Sequence, residues 1–496
     1  MSLGGLTFGI RIRAPDEGAP WAAAPTVRFE TRIAVAVGAA YTLLYGTLSV
    51  LRHRTYHSFG NDLGLFDQVF WNTANGRPFQ STVSLGIARP HSFLGDHFSP
   101  VYGLLLPVYW LHPSPETLVV LQALALGVGM LPIYLLARAR FEPGWPRLAW
   151  VVVYFLSLPV AFVSLYDFHE TAFAVLPLGL ALYFAETGRW RWMLVSLVAS
   201  FLVKEDMPLI GVGFGAYVLL TKRRLGLGLL TLGVSSAAFA AIVGIVIPAF
   251  AGGRPYAYVS SRYGEFGTGW TQILATMLGR PLRTAAIALE PKKVAFLAGI
   301  FGPVLGASAL SGSAVVLLLP ALAYLLLSNY PPQYSFASQY AAPLVPLVVG
   351  TSILGVARLQ PPAGARLTAA ILASSLVLAA WFGDLPFSRK FDWSRFRSEP
   401  RYTAFVPALA RIPASASVSA ENDLTPHLSQ RVRVYTFEYQ GTEDADYVAL
   451  DDAATGHDFG RFQAQVAAVE AQGYEVVARG DGLVLLERAR PRPAPG

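Results

Sequence analysis

Long apolar segments dominate this sequence and set limits on its fold. They run for roughly 15–25 residues between short polar stretches, which is about the length of one bilayer crossing. Of the 496 residues, 54% are hydrophobic and only 14% are charged, whereas soluble globular proteins carry about 25% charged residues. The sequence therefore predicts an α-helical polytopic membrane protein.

Eleven segments are predicted to cross the membrane, although several fall short of the roughly 20 residues of a perpendicular crossing. They are residues 33–51, 116–137, 147–165, 170–187, 190–204, 207–221, 225–250, 292–310, 312–328, 338–357 and 366–383. Residues 190–204 and 207–221 could alternatively form a broken or re-entrant pair that does not cross the membrane fully. Residues 99–111 are too short to cross and carry two prolines, so we expect them to lie along the membrane surface.

The polar segments divide the chain into three predicted parts. Residues 1–32 are rich in Pro, Gly and Arg and are predicted to form a disordered cytoplasmic leader. Residues 33–383 are the predicted transmembrane domain. Its two long outer loops are residues 52–115 and 251–291. Residues 384–496 are predicted to form a small α/β domain, with strands at 417–420, 432–437 and 446–450, a helix at 458–472 and a hairpin at 475–487.

Arg and Lys residues in the short loops predict the orientation, because cytoplasmic loops carry an excess of positive charge. If residues 99–111 do not cross, the loops rich in Arg and Lys all lie on one side of the membrane. That side is then cytoplasmic and includes the N-terminus, and the C-terminal domain lies outside. Lys292 and Lys293 are exceptions to the rule. The net charge of +7 is scattered over loops rather than gathered in a patch, so we expect no nucleic-acid binding. The absence of cysteine excludes a Cys-ligated metal.

Histidines and carboxylates collect in loops that this topology brings to one face of the membrane. Five of the eight histidines lie in the first outer loop, and a sixth, His169, follows the third span. The carboxylates of the same face are Asp62, Asp67, Asp96, Asp167, Glu170, Glu205 and Asp206. Ionisable groups at the ends of membrane spans often mark a functional site. We therefore expect a site here, built by three separate loops.

Structural roles are the alternative for each polar cluster. Asp62 precedes a helix predicted from Leu63 to Asn75, and Asp is a common N-cap residue. The other three clusters could likewise serve only in turns, in helix capping or as surface charges. They are His97, Asp167–His169–Glu170 and Lys204–Glu205–Asp206. Capping alone would not require all four clusters to share one face, so the functional interpretation is favoured.

Five stretches of sequence carry a family resemblance. They are FGNDLGLFDQVFWNTANGRPF (59–79), GDHFSPVYGLLLPVY (95–109), LYDFHE (165–170), VKEDMP (203–208) and SVSAENDLTPHLSQR (417–431). Over most of the chain from Ala34 to Leu450, the protein resembles a family of bacterial multi-spanning membrane proteins of unknown function within the GT-C glycosyltransferase superfamily. The resemblance implies a GT-C-like fold in the bacterial inner membrane.

The resemblance also implies an activity. GT-C enzymes transfer sugars from lipid-phosphate carriers on the non-cytoplasmic face, here to a glycan, lipid or protein acceptor. Their essential acid follows the first span and a second acid follows the third, which are the positions of Asp62 and Asp167 in this chain. His97 stands where the superfamily often has a His-Pro-Pro segment, although here the sequence continues Phe98-Ser99-Pro100.

Site roles follow from the chemistry that such a transfer needs. An acceptor hydroxyl is a poor nucleophile, so Asp62 is predicted to be the general base of an inverting single displacement. Asp167 would help to position the acceptor or a metal. The predicted substrate-binding residues are His97, His169, Glu170, Lys204, Glu205 and Arg262. Either Lys204 or Arg262 would hold the phosphate; alternatively Mg²⁺ or Mn²⁺ would do so, bound by Asp62, Asp167 and His169.

Two other functions compete with transfer. A transporter or flippase of lipid-linked sugars would need ionisable residues near the middle of its spans, and the apolar segments here carry almost none. A non-catalytic envelope assembly protein would use the polar loops to bind a partner, and single substitutions of the acids would then leave its function largely intact.

Overall fold

The protein is mostly helical in a computed structural model that describes residues 25–83 and 91–489. Its first nineteen α-helices are α1 Pro25–Arg54, α2 Leu65–Ala74, α3 Val101–Leu111, α4 Pro115–Val128, α5 Met130–Arg140, α6 Trp145–Leu156, α7 Leu158–Val163, α8 Val175–Glu186, α9 Trp190–Phe201, α10 Met207–Leu220, α11 Leu225–Ala241, α12 Ile247–Phe250, α13 Ala257–Tyr263, α14 Trp270–Gly279, α15 Pro281–Ala288, α16 Pro291–Phe301, α17 Leu319–Leu326, α18 Val345–Val356 and α19 Pro361–Phe382. Helix α1 begins before the predicted Ile33, so the prediction of a disordered leader is wrong for residues 25–32; residues 1–24 lie outside the described part.

Six helical stretches in the described residues are long and apolar enough to cross a membrane. They are Arg28–Arg54, Pro115–Arg140, Leu225–Phe250, Ala307–Leu326, Gln339–Val356 and Pro361–Phe382. Each matches one of the eleven predicted spans, and the remaining five predicted spans fall on shorter helices. The predicted class of polytopic helical membrane protein is confirmed.

Proline explains why one predicted span is shorter than expected. Residues 147–165 were expected to form one helix, but α6 ends at Leu156 and α7 begins after Ser157, whose backbone is extended. Pro159 lies in the first turn of α7, where its missing N–H costs no hydrogen bond. Helix α3 lies within the segment 99–111 and exposes Leu104 and Leu111 to 68% and 84%. Its position along the membrane surface stays a prediction.

The C-terminal region forms a five-stranded sheet with flanking helices. Its helices are α20 Pro400–Leu409, α21 Phe437–Gln440 and α22 Phe459–Glu470. A two-residue pair, β1 Gln80–Ser81 and β2 His91–Ser92, precedes it in the chain, and the sheet strands are β3 Val418–Ala420, β4 Val434–Thr436, β5 Tyr447–Asp451, β6 Tyr474–Arg479 and β7 Leu483–Arg488. The strand order is β4-β3-β5-β7-β6, with β3 parallel to β4 and β5 and the other pairs antiparallel. The predicted strands, helix and hairpin are all present.

Buried hydrogen bonds fix this C-terminal region to the loop 52–115. The Gln68 side chain donates to the backbone carbonyls of Arg431 and Val432 at 3.1 and 3.2 Å. The Asp67 carboxylate accepts from the hydroxyls of Tyr109 and Ser429, both at 2.6 Å. Burial raises the pKa of Asp67 to about 6. These hydrogen bonds therefore join the C-terminal region to α3 and to the loop.

We predict that Arg189 and Asp481 lie on opposite sides of the membrane, because positive loops are cytoplasmic. Both side chains are exposed, and the chain has no cysteine, so Arg189→Cys and Asp481→Cys each introduce one unique thiol. In intact cells, a membrane-impermeant maleimide should label Asp481→Cys and should label Arg189→Cys only after permeabilisation. Labelling of both thiols from outside would contradict the predicted orientation.

Candidate functional site

Asp62 lies in an unusual turn of helix whose shape is set by the C-terminal region. Residues Gly60–Gly64 form one turn of π-helix in front of α2. The N–H of Gly60 donates to the backbone carbonyl and the side-chain oxygen of Asn422 at 2.7 and 2.8 Å. A Cβ at Gly60 would lie 2.6 Å from Cβ of Thr425, so only glycine allows this approach. These bonds show that Asn422 fixes the turn that presents Asp62. Sequence reasoning missed this residue.

The Asp62 carboxylate faces His169 rather than a helix terminus. Oδ1 of Asp62 lies 3.3 Å from Nε2 of His169, while Nδ1 of the same ring lies 3.1 Å from the carbonyl oxygen of Asp167. No side chain caps α2, which begins at Leu65 rather than at the predicted Leu63, so the capping interpretation of Asp62 is wrong. Burial lowers the pKa of His169, but the carboxylates of Asp62 and Glu170 outweigh it and the net direction is upward. A protonated imidazole against Asp62 is thereby favoured.

Asp167, the second predicted acid, is held in a buried ion pair. Its Oδ1 accepts from Nη1 of Arg52 at 2.6 Å, and its Oδ2 accepts from the N–H of Phe59 at 2.8 Å. The side chain is 1% exposed. Both carboxylate oxygens are thus engaged, and no group of three His, Asp or Glu side chains in the described ranges is arranged to hold a metal ion. The predicted ligand set of Asp62, Asp167 and His169 does not fit together as a metal centre.

Glu170 and Lys204 form the central ion pair of the site. Oε1 of Glu170 contacts the Lys204 ammonium, and its Oε2 accepts from the Tyr102 hydroxyl at 2.8 Å. Burial would raise the pKa of Glu170, but the Lys204 charge outweighs it and lowers the pKa to about 2. Both residues are therefore charged and mutually neutralised. The pair joins the loop after α7 to the loop before α10.

His97 and Glu205 form a second polar contact beside this pair. Nδ1 of His97 lies 2.8 Å from Oε1 of Glu205, whose Oε2 accepts from the N–H of Phe98 at 3.1 Å. The Tyr256 hydroxyl donates to Oε1 of Glu205 at 2.5 Å. Burial would raise the pKa of Glu205, but His97 and Lys204 outweigh it and the pKa falls. The His97 ring also stacks on Tyr258 with 4.9 Å between ring centres.

Arg262 is a buried cation surrounded by tyrosine rings. Its guanidinium carbon lies 4.2, 4.8 and 5.3 Å from the ring centres of Tyr258, Tyr330 and Tyr340. Its Nη2 donates to the Tyr340 hydroxyl at 3.1 Å. Within the described ranges no carboxylate pairs with this guanidinium, although Arg262 is only 8% exposed. Cation–π contacts stabilise a buried cation without neutralising it, so Arg262 keeps its charge for an anion.

These contacts join the predicted site residues into one row, which we call the polar row. It runs from Asp62 through His169 and its neighbour Glu170 to Lys204, whose ammonium lies 5.9 Å from the ring centre of Tyr340, and ends at Arg262. The His97–Glu205 contact lies beside its far end, through Tyr258. Asp167 lies outside the row, in the Arg52 ion pair. The structure thus brings together all the predicted site residues except Asp167.

A cavity of about 280 Å³ opens at the Arg262 end of the polar row. Its walls are mostly apolar and come from α11, α13, α14 and α17. The polar and charged groups that line it include Glu205, Asp206, Tyr256, Tyr258 and Arg262. An apolar cavity with one unpaired cation at its wall suits a ligand that has a hydrocarbon chain and an anionic head.

Sequence reasoning missed the tyrosines that surround Arg262. Tyr258 precedes Arg262 in the same helix, whereas Tyr330 and Tyr340 follow α17 in a segment rich in Pro and Tyr, YPPQYSFASQY. A density of aromatic residues immediately after a span was the available signal. It did not reveal the pairing, because the two segments are far apart in the chain.

Comparisons with known proteins agree with this architecture. Residues 52–485 match the model of the family described as "Predicted membrane protein (DUF2079)". No curated protein matches the sequence. Among solved structures, the chain is similar to the crystal structure of ArnT from Cupriavidus metallidurans bound to undecaprenyl phosphate, with a TM-score of 0.53 and 14% identity over 92% of this chain and 99% of that one. At this identity the likeness concerns the fold, and the expected GT-C-like fold is confirmed.

We predict that Asp167 stabilises the fold through Arg52. Asp167→Leu leaves a buried guanidinium without its partner, which should cost about 3–5 kcal/mol and lower Tm. The double variant Arg52→Met/Asp167→Leu removes both charges and should recover most of the loss, as measured by thermal unfolding of purified protein in detergent. If Asp167→Leu kept the wild-type Tm but lost activity, a catalytic role would replace the structural one.

Proposed function

We propose that this chain, which belongs to the DUF2079 family of predicted membrane proteins, is a membrane glycosyltransferase. It takes a sugar from a polyprenyl-phosphate-linked donor at the outer face of the bacterial membrane and transfers it to a glycan, lipid or protein. The observation that carries the proposal is Arg262, a buried cation without a carboxylate partner in the described part, at the wall of an apolar cavity.

Arg262 is a better candidate than Lys204 for the phosphate. The Lys204 ammonium is already neutralised by Glu170. The Arg262 guanidinium lies over three tyrosine rings and donates to the Tyr340 hydroxyl, and it has no ion-pair partner among the described residues. A guanidinium binds phosphate oxygens in a planar two-point geometry that an ammonium lacks. The similar ArnT was crystallised with undecaprenyl phosphate, which supports the same class of lipid here.

The proposed reaction is a single displacement at the anomeric carbon. The acceptor oxygen forms a bond to this carbon while the bond to the donor's phosphate oxygen breaks. The acceptor proton passes to the Asp62 carboxylate, which is partly exposed and therefore accessible, unlike Asp167. The lipid leaves as a phosphate monoester whose negative charge Arg262 stabilises. His169 holds Asp62 in place, and no step is assigned to a metal.

The arrangement favours transfer over the transport alternative. The charged groups of the polar row lie in the short segments 60–64, 169–170 and 204–205 and, for Arg262, in the short helix α13, so none lies within the six long spans. A transporter would need such groups near the bilayer midplane, facing a cavity that crosses the membrane.

We predict that Asp62→Asn lowers turnover by about 10²–10⁴-fold, the usual contribution of a general base, because the amide cannot accept the proton. The protein is reconstituted in liposomes with a membrane extract as the source of acceptor and a panel of polyprenyl-phosphate hexoses. Release of polyprenyl phosphate is measured by mass spectrometry.

The matched control is Asp392→Asn, at an exposed Asp whose side chain caps a short helix by accepting from the N–H of Ser394 at 2.9 Å. Asn caps a helix as well as Asp does, so this variant should keep full activity and expression. Normal turnover by Asp62→Asn at the same expression would remove Asp62 from the mechanism.

A further inference from the structure

Asp206 is a buried acid that the polar row does not use. It is 7% exposed, and its Oδ1 has no hydrogen-bond partner. Asp206 occupies the N-cap position of α10, but its side chain makes no capping hydrogen bond there. An unpaired buried carboxylate oxygen is costly and is rarely retained without a function. Tyr324 and the backbone N–H of Asp206 itself donate to the carboxylate, but these bonds leave its Oδ1 atom without a partner.

Asp206 faces the cavity that Arg262 also lines. Asp206 and Arg262 both line the same space of about 280 Å³. Its charged and titratable surroundings are Glu205 and Lys204 in its own loop, Arg262 and Tyr263 of α13, Tyr324 of α17 and Tyr340 before α18. Burial raises the pKa of Asp206 to about 6, and the neighbouring Glu205 acts in the same direction. The carboxylate is thus ionised above about pH 6 and neutral below it.

The cavity is lined by one cation, Arg262, and by two acids, Asp206 and Glu205, of which Glu205 is paired with His97. Such a set of charges distinguishes phosphates by their charge. A sugar-charged lipid donor is a phosphodiester with a single negative charge. The lipid left after transfer is a monoester, which carries nearly two negative charges above its second pKa of about 6. Arg262 attracts both forms, whereas an ionised Asp206 repels the monoester more strongly than the diester.

We infer that Asp206 is a discriminating residue that weakens the binding of the monoester product relative to the diester donor and so promotes release of the spent lipid. The inference rests on the proposed function, since it takes the cavity of Arg262 as the phosphate site. It assigns to Asp206 a role in the exchange of lipids and none in the bond-making step.

The test uses two probes that share one hydrocarbon chain, farnesyl phosphate as the monoester and methyl farnesyl phosphate as the diester. Their Kd values are measured by calorimetry on the full-length protein in detergent at pH 8 and pH 5. At pH 8, Asp206→Asn should bind farnesyl phosphate about tenfold more tightly than the wild type, the size expected from removing one like charge nearby. Its Kd for the diester should change much less. At pH 5 the variant and the wild type should agree, because Asp206 and one phosphate oxygen are then protonated.

Glu265→Gln is the matched control, because it removes one negative charge from an exposed position just after α13 and should alter neither Kd. Asp206→Ser repeats the test with a smaller neutral side chain, and Tm values confirm that each variant is folded. An unchanged ratio of monoester to diester Kd in both Asp206 variants, or weaker binding of both probes, would overturn the inference. If the wild type bound neither probe, or if Arg262→Gln bound both as the wild type does, the proposed function itself would fail.

Discussion

The buried ion pair of Glu170 and Lys204 holds the centre of the site together. Two charges removed from water cost several kcal/mol each, and only a close partner with further hydrogen bonds offsets that cost. Glu170 obtains its second hydrogen bond from Tyr102 of helix α3. Three segments that are distant in the chain, namely α3, the loop after α7 and the loop before α10, must therefore meet at one point. At one end, His169 beside Glu170 contacts Asp62, and at the other, Tyr340 contacts both Lys204 and Arg262.

The buried cations differ in how their charge is compensated. Arg52 and Lys204 each have a carboxylate partner and Arg431 donates to backbone carbonyls, whereas Arg262 lies among tyrosine rings at the wall of the cavity. Rings lower the cost of burial but leave the charge available to an anion. The C-terminal region completes the opposite end, because Asn422 holds the turn that carries Asp62. The site is thus assembled from both the helical part and the C-terminal sheet part of the chain.

The sequence predicted the fold class and most residues of the polar row, because charged side chains in an apolar chain are few and their loops alternate between two faces. It could not predict which of them pair. In the sequence, Asp62 and Asp167 are both acids that follow a predicted span. Only the structure separates the partly exposed carboxylate of Asp62, beside His169, from that of Asp167, which is buried against Arg52. The helix breaks at Gly60–Gly64 and Ser157 also escaped prediction, since packing partners and proline geometry decide them locally. The tyrosines around Arg262 were missed because two distant segments supply them.

The most direct measurement of the central claim is an electron cryomicroscopy structure of the full chain in lipid nanodiscs with undecaprenyl phosphate. The account predicts phosphate density within hydrogen-bond distance of the Arg262 guanidinium, about 2.7–2.9 Å for a charged pair, with the lipid chain in the apolar cavity. The Glu170–Lys204 pair should remain intact beside it. Phosphate bound at Lys204 instead, or Arg262 closed onto a carboxylate while the cavity stays free of lipid, would contradict the assignment of Arg262 as the phosphate-binding residue.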